Sequence, residues 1–316
     1  MLMDKLQAKP TEPIAWLNGR WIPLSQAAVS VFDAGFVQGV TVAEQLRTFG
    51  GKLFRLQMHL ERLAQSLRIV GVDPGLSTTE LAELAEAVAA RNFQLLDPAD
   101  DLNLTIFVTP GPYGAYAAIA EHKAPSVCLH AQSLPFGQWA EKYRTGESLV
   151  VSDVQQVPAS CWPAVLKCRS RMHYYLADKQ ARQKEAGARA LLLDERGFVT
   201  EASTANVLVY DAKHGLLSPP QENILPGVTV AVIEELAGQL GIPFQHRDLA
   251  VDDVARAAEV LLCSTSPCLL SVTRLNGRPV GDGRPGPISA RLRQAWNEMV
   301  ALDIEAQAKR FSTRPV

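Results

Sequence analysis

Cysteine is scarce in this sequence and shows no pairing pattern. The five thiols, Cys128, Cys161, Cys168, Cys263 and Cys268, form no C-x-x-C spacing and have no histidine-rich companion. That argues against a structural zinc, and no metal site is expected. An odd cysteine count in a chain of 316 residues points to reduced thiols in a cytosol rather than to a disulfide scaffold. No run of about 18 apolar residues occurs, and the N-terminal stretch MLMDKLQAKPTEP lacks the apolar centre of a secretory signal. A soluble, cytoplasmic protein is the expectation. Charge of one sign is also lacking: 31 Lys and Arg stand against 33 Asp and Glu, for a formal net charge of −2. Without a basic stripe, nucleic acid is excluded as the main partner, whereas small anions need only a few placed arginines. No G-x-G-x-x-G follows a strand, which counts against a dinucleotide-binding Rossmann sheet.

What is present is enough for a packed globule. Hydrophobic residues make up 47% and charged residues 20%, and the length suits one large domain or two ordinary ones. Trp16 to Val31 reads as a hairpin turning at Asn18-Gly19, and Thr41–Phe49 pairs with Lys52–Phe54 through Gly50-Gly51. Leu56, Leu60, Leu63 and Leu67 mark one face of a helix. A second helix covers about Thr78–Asn92, and strands follow at Leu102–Val108 and Val127–His130. LPFGQWAEKYRTG breaks the periodicity, so a linker is placed at 134–146, between domains at 1–133 and 147–316. The second half opens with a strand at Leu149–Val154. A helix from about Ser170 to Ala186 follows, then a hairpin around Asp194-Glu195-Arg196-Gly197 and a strand at Asn206–Tyr210. A helix opens after Leu225-Pro226-Gly227, and Glu259–Cys263 is a further strand.

Several residues carry chemical potential, each with a plain structural alternative. Beside the leucine stripe runs a polar one, Arg55, His59, Arg62 and Ser66, which either holds an anion through a guanidinium or is a solvated helix face. Val228 and Thr229 open a helix whose unpaired N–H groups suit an anion, or simply cap it. Thr265 and Ser266, within Cys263-Ser264-Thr265-Ser266-Pro267, offer hydroxyls to a phosphate or to a turn. Lys167 follows an apolar lead-in, so it is either a desolvated nucleophile or a lysine reaching to solvent from a helix start. Glu201 ends a strand and is either a partner for a pyridine nitrogen or an exposed carboxylate.

Taken in order, DAGFVQGVTVAEQLR (33–47), LFRLQMHLERLAQS (53–66), Lys167, LLLDERGFVTEASTANVLVY (191–210), ILPGVT (224–229), AAEVLLCSTSP (257–267) and LNGRPVGDGRPGPIS (275–289) resemble the class IV aminotransferases. That group includes branched-chain and D-amino-acid aminotransferases and aminodeoxychorismate lyases. The resemblance implies an α/β (α+β) fold of two domains with pyridoxal 5′-phosphate (PLP) in the cleft between them. It implies that Lys167 forms the Schiff base, that Glu201 pairs with the pyridine nitrogen, and that Arg62, Val228, Thr229, Thr265 and Ser266 hold the phosphate. Phe36, Gln38, Glu44 and Arg171 fall at positions implied to meet the substrate, and a homodimer is implied.

Some positions depart from the family pattern. A tyrosine usually lies five residues after the lysine, where this chain has Met172; Arg171, Tyr174 or Tyr175 are the candidates to replace it. Ala43 and Gln38 stand where aromatic residues are usual, and Pro110 and Asn103 where substrate-binding arginines are. Three readings follow. The first is a transaminase moving an amino group between an amino acid, branched-chain-like by default, and a 2-oxo acid. The second is an aminodeoxychorismate lyase releasing pyruvate and 4-aminobenzoate, which Arg171 and Met172 favour and Glu44 opposes. The third is a non-catalytic PLP- or phosphate-binding relative.

Overall fold

Residues 11–314 are described by the computed structural model. Most of the N-terminal stretch read for a secretory signal lies outside them. The chain packs as two compact units: the first runs through Leu134 and also takes in Lys167–Ser170, and the second comprises Pro135–Leu166 and Arg171 onward.

The first unit contains β1 (Ile14–Leu17), β2 (Arg20–Pro23), α1 (Ala34–Val37), β3 (Val42–Phe49), β4 (Lys52–Leu53), α2 (Leu56–Val70), α3 (Thr78–Phe93), β5 (Leu102–Thr109) and β6 (Ser126–Ser133). Its strands form one antiparallel sheet in the order β2-β1-β6-β5-β3-β4. The β1–β2 turn forms at Asn18 and Gly19 because both take positive φ, 48° and 83°, as a two-residue hairpin requires. Ser77 and Glu80 form a reciprocal capping box that starts α3, satisfying two otherwise orphaned donors.

Strand alternation divides the sheet into two faces. Leu46, Leu104, Ile106, Leu129 and Ala131 are buried with Leu60, Leu63, Leu67, Leu81, Ala85 and Val88 of α2 and α3. The opposite face carries Ala43, Gln45 and Arg47 of β3. Register aligns these with Phe107, Thr105 and Asn103 of β5, and those in turn with Cys128, His130 and Gln132 of β6.

The second unit contains α4 (Lys142–Thr145), β7 (Glu147–Val151), α5 (Met172–Lys184), β8 (Arg189–Leu193), β9 (Val199–Ala202), β10 (Ala205–Asp211), β11 (Gly215–Ser218), α6 (Val228–Gln239), β12 (Phe244–His246), α7 (Val251–Arg256), β13 (Glu259–Ser264), β14 (Cys268–Leu275), β15 (Arg278–Pro279), α8 (Pro287–Val300) and α9 (Ile304–Arg310). Strands β10-β13-β14-β7-β8-β9 pair in sequence, and β9 pairs back to β10, so this sheet closes on itself. The contacts of β7 with β14 and β8 are parallel. Closure buries Leu191, Leu192, Val207, Leu208, Leu261, Leu262, Leu269 and Leu270. Glu201 is a buried acid among them, on β9.

Candidate active site

In the first unit the lysine is fixed by its backbone. Cys168 forms an antiparallel bridge with Val42 at the start of β3. The Ala43 N–H donates to the Lys167 carbonyl at 3.1 Å and the Arg169 N–H to the Thr41 carbonyl at 2.8 Å. The Lys167 N–H donates to Ser66 Oγ at 3.1 Å, and Ser170 Oγ donates to the Gly39 carbonyl at 2.6 Å. The helix expected from about Ser170 starts at Met172. Lys167 is therefore five residues ahead of the helix and is not a lysine reaching from a helix start. The Lys167 charge is close enough to act on Glu44 and His59.

The polar stripe of α2 is not a solvated face. His59, Arg62 and Ser66 are buried, while Arg55 sits at the helix N-cap with φ 51°. Arg62 grips Glu44 of β3 bidentately, Nε to Oε1 and Nη2 to Oε2, each at 2.8 Å. His59 Nδ1 lies 2.8 Å from Glu44 Oε2; since an ionised carboxylate only accepts, the ring carries its proton on Nδ1. Burial alone would raise the Glu44 pKa. The Arg62 charge, hydrogen bonds from Arg62 and His59, and the nearby Lys167 charge outweigh it and hold the carboxyl at about 2. Burial pushes the His59 pKa below its ordinary value, only partly offset by Glu44, so the imidazole is neutral at neutral pH. Glu44, placed by the sequence among substrate residues, is fully buried against α2. Phe36 and Gln38, from the same group, are exposed on and beside α1, and Phe36 is 71% accessible.

In the second unit, Glu201 is 4% accessible. Its Oε1 accepts from Gln156 Nε2 at 3.0 Å, from the Leu225 N–H at 3.3 Å and from Tyr174 Oη at 3.5 Å. Asn206 Nδ2 lies 3.4 Å from Oε2 and donates to the Leu225 carbonyl at 2.9 Å. Asn206 is directly opposite Glu201 in the β9–β10 hairpin, so hairpin register was the signal that could have found it. Gln156 is 45 residues away and had no such signal. Tyr174 is the tyrosine that reaches this cluster, while Met172 and Tyr175 are 70% and 66% accessible and Arg171 is the N-cap of α5. The start of α6 has no side-chain cap, leaving the N–H groups at Val228 and Thr229 for an anion. Its N-cap must be small, since a Cβ on Gly227 would stand 2.1 Å from Asn206 Oδ1. Thr265 and Ser266 lie half-buried in the turn after β13.

These groups suit PLP. An uncapped, buried helix start meets the needs of a phosphate, and a buried carboxylate with polar donors meets those of a pyridinium. A lysine pinned through its backbone offers a nucleophile.

The fold and this donor set define an enzyme of the PLP-dependent transaminase class. The chain belongs to the amino-transferase class IV family, whose model matches residues 41–275. It is 29% identical over 290 residues to a D-alanine aminotransferase of Staphylococcus aureus (strain COL), covering 90% of this chain and 97% of that one. It is 27% identical to a putative branched-chain-amino-acid aminotransferase of Methanocaldococcus jannaschii, with 90% and 95% covered. Among solved structures, a T.th. branched-chain amino acid aminotransferase with pyridoxamine 5′-phosphate superposes with a TM-score of 0.80. That pair shares 26% identity and covers 92% and 94% of the two chains. The cofactor is pyridoxal 5′-phosphate, and the reaction is transamination; the lyase alternative is not favoured, since these relatives are named aminotransferases.

Proposed function

We propose that this chain moves an amino group between a 2-amino acid and a 2-oxo acid with Lys167 as its catalytic residue. The observation that carries the assignment is the pinning of the Lys167 backbone by Ala43, Thr41 (through Arg169) and Ser66. Bound PLP supplies an aldehyde carbon that condenses with amines and a ring that draws electrons from the substrate Cα. Lys167 Nζ holds the cofactor between turnovers and carries the proton to and from the substrate Cα. Glu201, desolvated and held by Gln156 and Asn206, keeps the proton on the ring nitrogen. The phosphate-binding groups are the Arg62 guanidinium, the Val228 and Thr229 N–H groups and the Thr265 and Ser266 hydroxyls. Glu44 acts through Arg62 by fixing the guanidinium plane. Arg171, Phe36 and Gln38 remain proposed substrate-side groups.

The amino-acid side chain is where the relatives diverge. Some are named for D-alanine and others for branched-chain amino acids, and the latter names support the branched-chain default. The test is the visible spectrum of the PLP-loaded protein against a panel of L- and D-amino acids. The expected result is a yellow band that bleaches with one subset and returns on addition of a 2-oxo acid. A band indifferent to every amino acid would sink the reading.

Two further proposals concern the setting. The exposed Val29, Val31, Phe36, Val37, Tyr116 and Ile119 support a homodimer, since apolar side chains gathered at a surface mark contacts. Sedimentation velocity is expected to show two chains per particle; a monomer at micromolar concentration would refute it. A cytoplasmic setting is supported by five cysteines that are all free thiols. No helix among the described residues is long and apolar enough to cross a membrane.

A further inference from the structure

The backbone of Lys167 closes a ring of contacts within the first unit. Its carbonyl accepts from the Ala43 N–H at 3.1 Å. The next residue along β3, Glu44, takes the Arg62 guanidinium through two bonds of 2.8 Å. One helical turn beyond Arg62, Ser66 Oγ accepts from the Lys167 N–H at 3.1 Å, which returns the path to its start. The lysine charge acts on both Glu44 and His59, so the ammonium is near the clamp that the ring contains.

Ser66 is fully buried within α2, a setting that ordinarily favours alanine, which has the better helix propensity and no polar atom to desolvate. What the hydroxyl adds is an acceptor for the lysine N–H. The other bonds of this segment, from the Arg169 N–H to Thr41 and from Ser170 Oγ to Gly39, run to β3 and the residues just before it. Ser66 ties the segment to the helix as well. With its N–H and its carbonyl each held from a different element, Lys167 has little freedom to shift or turn at Cα. We infer that Ser66 is a positioning residue for Lys167, locking the lysine backbone to the Arg62–Glu44 clamp. The group that bonds the cofactor's aldehyde carbon and the group that holds its phosphate then keep one fixed separation. Rate is sensitive to that separation, because moving a reacting group by about 1 Å can cost about 10²-fold. Ser66 acts through the lysine backbone and not on the reacting atoms. The inference rests on the roles of Lys167 and Arg62 proposed above.

The test compares the PLP-loaded wild-type protein with Ser66→Ala and Ser66→Thr. The first removes the acceptor while supplying the best helix former, and the second keeps the oxygen. Single-turnover kinetics use D-alanine or L-leucine, whichever bleaches the yellow band. In Ser66→Ala the rate is expected to fall roughly 10- to 100-fold, while the half-saturating concentration moves less than about three-fold. Ser66→Thr is expected to return the rate to within about three-fold of wild type. Amide hydrogen exchange at Lys167 should quicken in Ser66→Ala and not in Ser66→Thr. Cofactor dissociation should quicken in Ser66→Ala and in Arg62→Lys, and in the double variant by less than the product of the two, since either change opens the same ring. A wild-type rate in Ser66→Ala, or unchanged exchange at Lys167, would overturn the inference. So would equal losses in the alanine and threonine variants, which would trace the effect to packing, or fully multiplicative losses in the double variant. Borohydride trapping of the cofactor on a lysine other than Lys167 would instead remove the reading beneath the inference, and the inference with it.

Discussion

Lys167→Ala is expected to abolish covalent attachment of the cofactor and to lower transamination by at least about 10⁴-fold, the scale of losing a nucleophile that is also the proton carrier. Borohydride reduction followed by peptide mass spectrometry reads the first effect, and single-turnover kinetics the second. The fold should survive, because the Lys167 backbone bonds to Ala43 and Ser66 do not involve its side chain. A variant that still traps cofactor on reduction would move the assignment to another lysine.

Glu44→Gln is expected to cost stability on a scale few single changes reach. The carboxylate is fully buried and answers Arg62 through two hydrogen bonds. Removing its charge leaves a buried guanidinium uncompensated, a loss of about 3–5 kcal/mol. Urea unfolding should show it, together with weaker cofactor retention as Arg62 loses its fixed plane. A change below about 1 kcal/mol would show that solvent reaches Arg62 after all.

The same pair predicts acid sensitivity. The Glu44 pKa falls from 4.5 when unfolded to about 2 when folded. A depressed carboxyl contributes stability that is complete above the unfolded value and is lost as pH falls through the folded one. The window therefore runs from about pH 4.5 down to about 2. The contribution at stake is on the order of 3 kcal/mol. The Glu44→Gln protein should lack that part of the wild-type acid transition.

Much of the fold was legible because its signals are local. Asn18-Gly19 and Gly50-Gly51 gave two turns, and the leucine spacing gave α2. Asp194 to Gly197 joined β8 to β9 as expected. Boundaries slipped where a neighbour decided them. Ser170 did not begin a helix because Lys167–Ser170 pairs with β3, a contact over a hundred residues distant in sequence. The strands β11 and β12 are too brief for periodicity to register and exist through pairing, whereas Asn276-Gly277 turns β14 into β15.

By itself the sequence determined the order of the chemistry-bearing residues, the turn chemistry and the apolar stripe of α2, since each depends on residues within a few positions of one another. It placed His59, Arg62 and Ser66 on one helix face because a helix repeats every 3.6 residues. Only the tertiary structure decided what that face meets. The same spacing serves a solvated surface or a buried clamp, and the difference is whether β3 brings Glu44 to it. Likewise nothing along the chain brings Gln45, Thr105 and His130 together. They form one row across three strands only because cross-strand register, set by long-range hydrogen bonds, puts 105 opposite 45 and 130 opposite 105.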